Sequence, residues 1–176
     1  MPAKFWIAAL CTLAGPAFAG DDYGLGRTAS PQEIAGWNID IAPDGTGLPA
    51  GRGSVARGAE IFAGKCAACH GAHGEGKPMD TLAGGAGTIN TVKPLKTVGS
   101  YWPYATTLFD FVRRAMPFDA PQSLTNDEVY AVSAYVLWLN QIVPKDADLD
   151  ARTLPQIVMP NRANFVSGYP SRPSQP

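Results

Sequence analysis

The chain has 176 residues, 45% of them hydrophobic, with 14 Lys and Arg against 15 Asp and Glu and a formal charge of −1. That length suits one domain with a modest core rather than two. The balanced charge excludes the basic surface that nucleic acid or an anionic membrane would need, leaving a protein partner, or none, as the default.

The first stretch, Met1 to Ala19, places Lys4 ahead of an apolar run from Phe5 to Leu13 and ends on Ala17-Phe18-Ala19, an A-x-A cleavage site. It reads as a secretory signal peptide. The competing reading is a retained anchor, but the run falls far short of the roughly 20 residues of a spanning helix. No membrane anchor is therefore expected, and Cys11 leaves with the peptide; Leu10 before it does not suit a lipoprotein signal. The exported chain begins at Gly20 and keeps only Cys66 and Cys69.

Residues 20–53 read as an extension lying over the domain. Residues 42–53 hold four glycines and two prolines, a run of turns and loop. Trp37, Ile39 and Ile41 alternate with Asn38 and Asp40, so a short strand or extended segment is expected, with Trp37 packed. Ser54 caps a helix that runs to residue 66, with Val55, Ala59 and Phe62 spaced for one buried face. Gly58 inside this helix costs about 0.5–1 kcal/mol relative to alanine, which suggests a second helix crossing closely there. An isolated glycine is also sometimes simply tolerated.

Cys66-Ala67-Ala68-Cys69-His70 is the spacing C-x-x-C-H, the attachment signature of c-type haem. On one helical turn, positions i, i+3 and i+4 share a face. Two thiols and one imidazole then reach the same flat ligand: Cys66 and Cys69 as thioethers to the vinyl groups, His70 as an axial ligand of the iron. A zinc site needs four ligands, and the rest of the chain offers only Cys11 and His73. A thioredoxin-like dithiol expects flanking strands, whereas these flanks read as helix and glycine loop.

Between His70 and Tyr104 lie Gly71, Gly74, Gly76, Gly84, Gly85, Gly87 and Gly99. A loop this long is uncommon unless it wraps something; a haem edge is such an object, and one loop carbonyl is expected to accept the ring N–H of His70. Residues 106–115 read as a helix with Leu108, Phe111, Val112 and Ala115 on one side. Pro117 disfavours helical geometry at Met116, so Met116 is expected in a turn just past the helix. Thr125 with Glu128 makes a capping box for a helix from Asn126 to about Gln141, with Tyr135 placed to face Gly58 and Phe62. After Ile142 the prolines return, and an extended arm packed on the domain is expected, then a loose tail. No internal repeat and no second C-x-x-C-H occurs.

Three methionines compete for the other axial position. Met79 follows His70 too closely to reach the opposite face of the macrocycle, and Met159 lies in the late arm. Met116, held by Pro117 between two helices, fits best, although methionine most often fills core. A thioether opposite imidazole raises the potential of haem iron and closes the site to oxygen and substrate. His73 is tied too near His70 to cross the plane. Tyr101, Trp102, Tyr104 and Arg113 flank the expected pocket and either hydrogen-bond a propionate or pack as ordinary aromatics.

The order of helix, C-x-x-C-H, glycine loop, Met116-Pro117 and a last helix with Tyr135 resembles a class I cytochrome c over residues 54–142. The resemblance implies an all-α fold, short helices around a covalently bound haem, with extended N- and C-terminal arms. Its divisions are 1–19 signal peptide, 20–53 extension, 54–142 domain and 143–176 arm and tail. Residues 43–49 (PDGTGLP), 97–106 (TVGSYWPYAT), 113–118 (RRAMPF) and 159–162 (MPNR) resemble the cytochrome subunits of molybdenum sulfite dehydrogenases and of the Sox sulfane dehydrogenase. The latter typically carries two haem sites, and this chain has one. The resemblance implies one haem c, no catalytic residue of its own and a periplasmic location. It also implies a molybdenum sulfite or sulfane dehydrogenase as electron donor, and another cytochrome or a terminal oxidase as acceptor. The alternatives are a different donor such as a quinoprotein dehydrogenase, or a haem enzyme with a labile sixth ligand.

Overall fold

The computed structural model describes residues 25–166 and Gly168. The expected signal peptide with Cys11, and the rest of the expected tail, lie outside the described residues. The chain divides into two compact units, residues 1–37 and 38–176.

In the first unit, helix α1 spans Pro31–Trp37. Its start is a capping box: Ser30 N–H donates to Glu33 Oε2 (2.8 Å) and Glu33 N–H to Ser30 Oγ (3.3 Å). Arg27 pairs with Glu33 and, with these bonds, holds its carboxyl down at about 2. The segment expected as a short strand or extended stretch therefore opens as helix at Trp37, and residues 38–42 form no strand. Trp37, expected to pack, is instead the last residue of a helix that buries nothing, and it is 86% exposed.

The second unit runs β1 (Arg52–Ser54), α2 (Val55–Lys65), α3 (Ala67–His70), α4 (Ala105–Ala115), α5 (Asn126–Leu139) and β2 (Asp148–Asp150), with short 3₁₀ turns at Leu154–Gln156 and Arg162–Asn164. β1 pairs antiparallel with β2, Gly53 opposite Leu149. Three-residue strands are too short for an alternating pattern to register.

Helix α5 is the centre. α2, α4 and both strands pack on it, so residues Val129–Leu137 are buried all round rather than along one stripe. Its capping box at Thr125 and Glu128 is complete, and the helix ends at Leu139. Ser54 caps α2 by accepting from Arg57 N–H at 3.2 Å. The buried face of α2 is Val55, Gly58, Ile61 and Phe62, with Ala59 only half-buried. At Gly58 a Cβ would lie 1.9 Å from the Ala131 carbonyl oxygen and 2.7 Å from Tyr135 Cβ; the two helices cross where only glycine fits. One turn on, the rings of Phe62 and Tyr135 meet at 5.2 Å.

In α4 the buried positions are Ala105, Thr106, Leu108, Phe109 and Val112. Phe111, expected among them, is 47% exposed and meets Trp102 edge-on. Phe109 takes the core place, its ring 4.4 Å from Tyr130: the stripe Ala105, Leu108, Phe109, Val112 and the stripe Leu108, Phe111, Val112, Ala115 fit the helical repeat equally, and the position of α5 selects the first.

Residues 38–53 lie along the helices. The Tyr130 hydroxyl donates to Pro49 O (2.9 Å), Asn126 Nδ2 to Ala50 O (3.3 Å), and Arg52 N–H to Asp127 Oδ1 (2.9 Å). Arg114 joins Asp110 on its own helix to Asp40. The arm after α5 buries Leu149, Leu154 and Met159.

Gly58→Ala should destabilise the fold by about 1–3 kcal/mol, the cost of overpacking a tight contact, seen as a Tm lower by several degrees in thermal denaturation. Burial pushes the Tyr130 phenol up to about 12, so the folded state favours the neutral ring. That contribution is whole below the ordinary tyrosine pKa near 10 and is lost as pH rises from about 10 to about 12. Tyr130→Phe should lose about 0.5–1.5 kcal/mol with its hydrogen bond at pH 7, yet lack this alkaline loss. Denaturant titrations of both proteins from pH 7 to 12 check it: a gap that stays constant across the range would contradict the assignment.

Candidate haem-attachment site

The C-x-x-C-H motif sits where α2 hands over to α3. Cys66 closes α2, its N–H donating to Phe62 O at 2.9 Å, and its own carbonyl accepts from Cys69 N–H (3.1 Å) and His70 N–H (3.0 Å). These bonds wind Cys66, Cys69 and His70 onto one turn. The Cys66 side chain is half-buried against the core, and burial pushes its thiol up to about 11. Cys69 is exposed. A neutral thiol at the inner position and an accessible one at the outer position leave both sulfurs free, with no disulfide between them.

The His70 ring is already oriented. Its Nδ1 lies 2.8 Å from the Asp80 carbonyl oxygen, and a carbonyl can only accept, so Nδ1 carries the proton. Nε2 is therefore the ring nitrogen available to a metal, the arrangement a metal-bound histidine requires. Asp80 O is the loop carbonyl that sequence reasoning expected but had no means to number.

The glycine loop folds back on the motif. Gly76 N–H donates to His70 O (2.8 Å) and Met79 N–H to Cys69 O (2.9 Å). Met79 is thus held beside the histidine, its side chain outward. His73 is exposed; its backbone N–H donates to Glu75 Oε2 at 2.7 Å, and Glu75's own and His73's backbone N–H groups hold that carboxyl below its usual range.

Of the seven loop glycines, all but Gly99 adopt positive φ. At Gly99 the reason is space: a Cβ would sit 2.4 Å from Asn140 Oδ1. Asn140, just past α5, accepts from Gly84 N–H (3.1 Å) and donates to Leu82 O (3.0 Å). Thr97 Oγ1 donates to Gly84 O (2.6 Å) and Ser100 Oγ to Leu95 O (2.5 Å). These buried polar groups fix a loop that has no regular structure.

Met116 follows α4 in extended conformation, its N–H donating to Val112 O at 3.1 Å, with Pro117 buried behind it. Its side chain is partly buried at the edge of the core. Met159 is enclosed within the core, 1% exposed. The Tyr101 ring carries Lys96, the Tyr104 ring carries Arg162, and Trp102 meets Phe111. Arg113 makes no ion pair among the described residues. No group of three or more His, Cys, Asp or Glu that could hold a bare metal ion occurs among the described residues. Two thiols and one committed imidazole on a single turn suit a macrocycle that brings its own equatorial nitrogens.

The sequence model of the family described as "Cytochrome c" matches residues 55–140. No curated protein matches the sequence. Among solved structures, the chain is similar to a chain of the sulfane dehydrogenase SoxCD from Paracoccus pantotrophus. The two are 45% identical with a TM-score of 0.77, over 81% of this chain and 71% of that one.

With both cysteines present, pigment should stay with the polypeptide on a denaturing gel stained for haem. In Cys66→Ala/Cys69→Ala it should run free at the dye front, whereas pigment retained by the double variant would place the attachment elsewhere.

Proposed function

Because the chain belongs to the cytochrome c family, a group of electron-transfer haem proteins, we propose that it is a periplasmic mono-haem carrier of single electrons. In this reading Cys66 and Cys69 tether the haem, and His70 and Met116 supply the axial nitrogen and sulfur. When bound, the haem supplies an iron that alternates between ferric and ferrous. The bond from His70 Nδ1 to the Asp80 carbonyl keeps the imidazole from rotating and raises its basicity. The extended backbone at Met116, anchored to Val112, holds the thioether on a short leash from α4. In this reading His70 and Met116 would hold the iron from both sides and leave it no position for substrate.

The donor is a molybdenum sulfite or sulfane dehydrogenase, and the acceptor is another cytochrome or a terminal oxidase. The likeness at 45% identity to a chain of SoxCD, a sulfane dehydrogenase, carries this reading. The sequence features agree: residues 1–19 read as a secretory signal peptide, and no helix among the described residues is long and apolar enough to cross a membrane.

Met116→Ala should abolish the weak red-region sulfur-to-iron band of the ferric protein and lower its potential. Met159→Ala should leave the band in place but cost about 2–5 kcal/mol of stability, as a buried methionine truncation does. Absorption spectra and thermal melts of the two variants separate the roles; a band that survives Met116→Ala assigns the ligand elsewhere.

A further inference from the structure

We propose that the surface formed by residues 93–104 together with 158–166 docks the electron-donating dehydrogenase through an acidic face of that enzyme with an apolar centre; this rests on the donor reading above. The two segments are far apart in sequence and are locked together. Met159 is buried in the core, Tyr104 and Val158 form a β-bridge, and Asn161 Nδ2 donates to Tyr101 O at 2.8 Å. The Phe165 ring meets Tyr101 at 5.4 Å. What the arm turns outward is apolar: Val158 is 73% exposed and Val166 88%, with Phe165 partly exposed between them. One arm thus turns three apolar side chains outward beside cations held on aromatic rings.

The two segments carry charge of one sign. Neither 93–107 nor 154–166 contains a single Asp or Glu, while they carry Lys93, Lys96 and Arg162 in a chain whose formal charge is −1. Lys96 Nζ lies 5.1 Å from the Tyr101 ring centroid and the Arg162 guanidinium 5.3 Å from that of Tyr104. Elsewhere the arginines at 27, 52, 57, 114 and 152 are matched to carboxylates. Lys96 and Arg162 rest on neutral aromatic faces instead, so they keep their charge for a partner while their side chains are already ordered. An apolar centre with cations at its rim is the anatomy of a transient protein interface, and rim charges steer the encounter. A second copy of this chain would oppose like charges. An anionic membrane typically recruits clusters of about four to eight cations, more than are present.

The haem-loaded protein tests this in a stopped-flow instrument, with a molybdenum sulfite dehydrogenase plus sulfite as reductant and ascorbate as a small, partner-independent control. Lys96→Glu/Arg162→Glu should slow reduction by the dehydrogenase about tenfold or more at low ionic strength and flatten its salt dependence. Ascorbate should reduce variant and parent alike. Val166→Asp, at a position outside the packing, should slow the dehydrogenase reaction as well. Unchanged dehydrogenase rates in both variants would overturn the surface while leaving the donor reading intact. If the parent protein is not reduced by the dehydrogenase, the donor reading falls, and poly-L-glutamate binding followed by NMR decides the surface. Amide shifts centred on residues 96, 101, 162 and 165, and lost in the double variant, support it; shifts elsewhere, or none, overturn it. A concentration-dependent dimer abolished by the double variant would assign the face to self-association and equally overturn the proposal.

Discussion

The backbone of α2 touches the backbone of α5 at Gly58, where the Ala131 carbonyl occupies the space a side chain would need. That contact sets the distance and angle of the two helices, and the rest of the unit inherits its geometry from them. Phe62 then finds Tyr135 one turn later, and Cys66 follows directly from the last turn of α2. The attachment motif is therefore mounted directly after a close helix crossing. At its other end α5 terminates in Asn140, which grips the glycine loop at Leu82 and Gly84, so one helix positions both the motif and the loop that closes on it.

The loop is ordered by polar bonds rather than by regular structure. Asn140, Thr97 and Ser100 bond backbone groups of Leu82, Gly84 and Leu95, each such bond contributing about 0.5–1.5 kcal/mol. This ordering brings the Asp80 carbonyl to His70 and fixes the orientation of its imidazole. A histidine held in place by the loop suits a carrier, since a site that does not rearrange between oxidation states loses little energy in each transfer.

Features with a local chemical cause were legible in the sequence. Thr125 and Glu128 announced the start of α5, Pro117 the end of α4, and Gly58 the helix crossing, because each acts through its immediate neighbours. The capping pair Ser30 and Glu33 around Pro31 is the same kind of local signal for α1, and it outweighs the alternation at Trp37, Ile39 and Ile41. Features that depend on distant parts of the chain were not legible. The pairing of Arg52–Ser54 with Asp148–Asp150 joins segments almost a hundred residues apart. The exchange of Phe111 for Phe109 in the core follows from where α5 lies, which no pattern within α4 reveals. The choice of Asp80 among the loop carbonyls depends on the fold of the whole loop.

The central claim is that a haem tethered at Cys66 and Cys69 has its iron closed by His70 on one side and Met116 on the other. Proton NMR of the reduced, haem-loaded protein tests it directly. One methionine methyl resonance should be driven far upfield by the porphyrin ring current, with through-space contacts to Val112 and Pro117 that assign it to Met116. An upfield methyl assigned to Met79 or Met159, or no such resonance at all, would contradict the account.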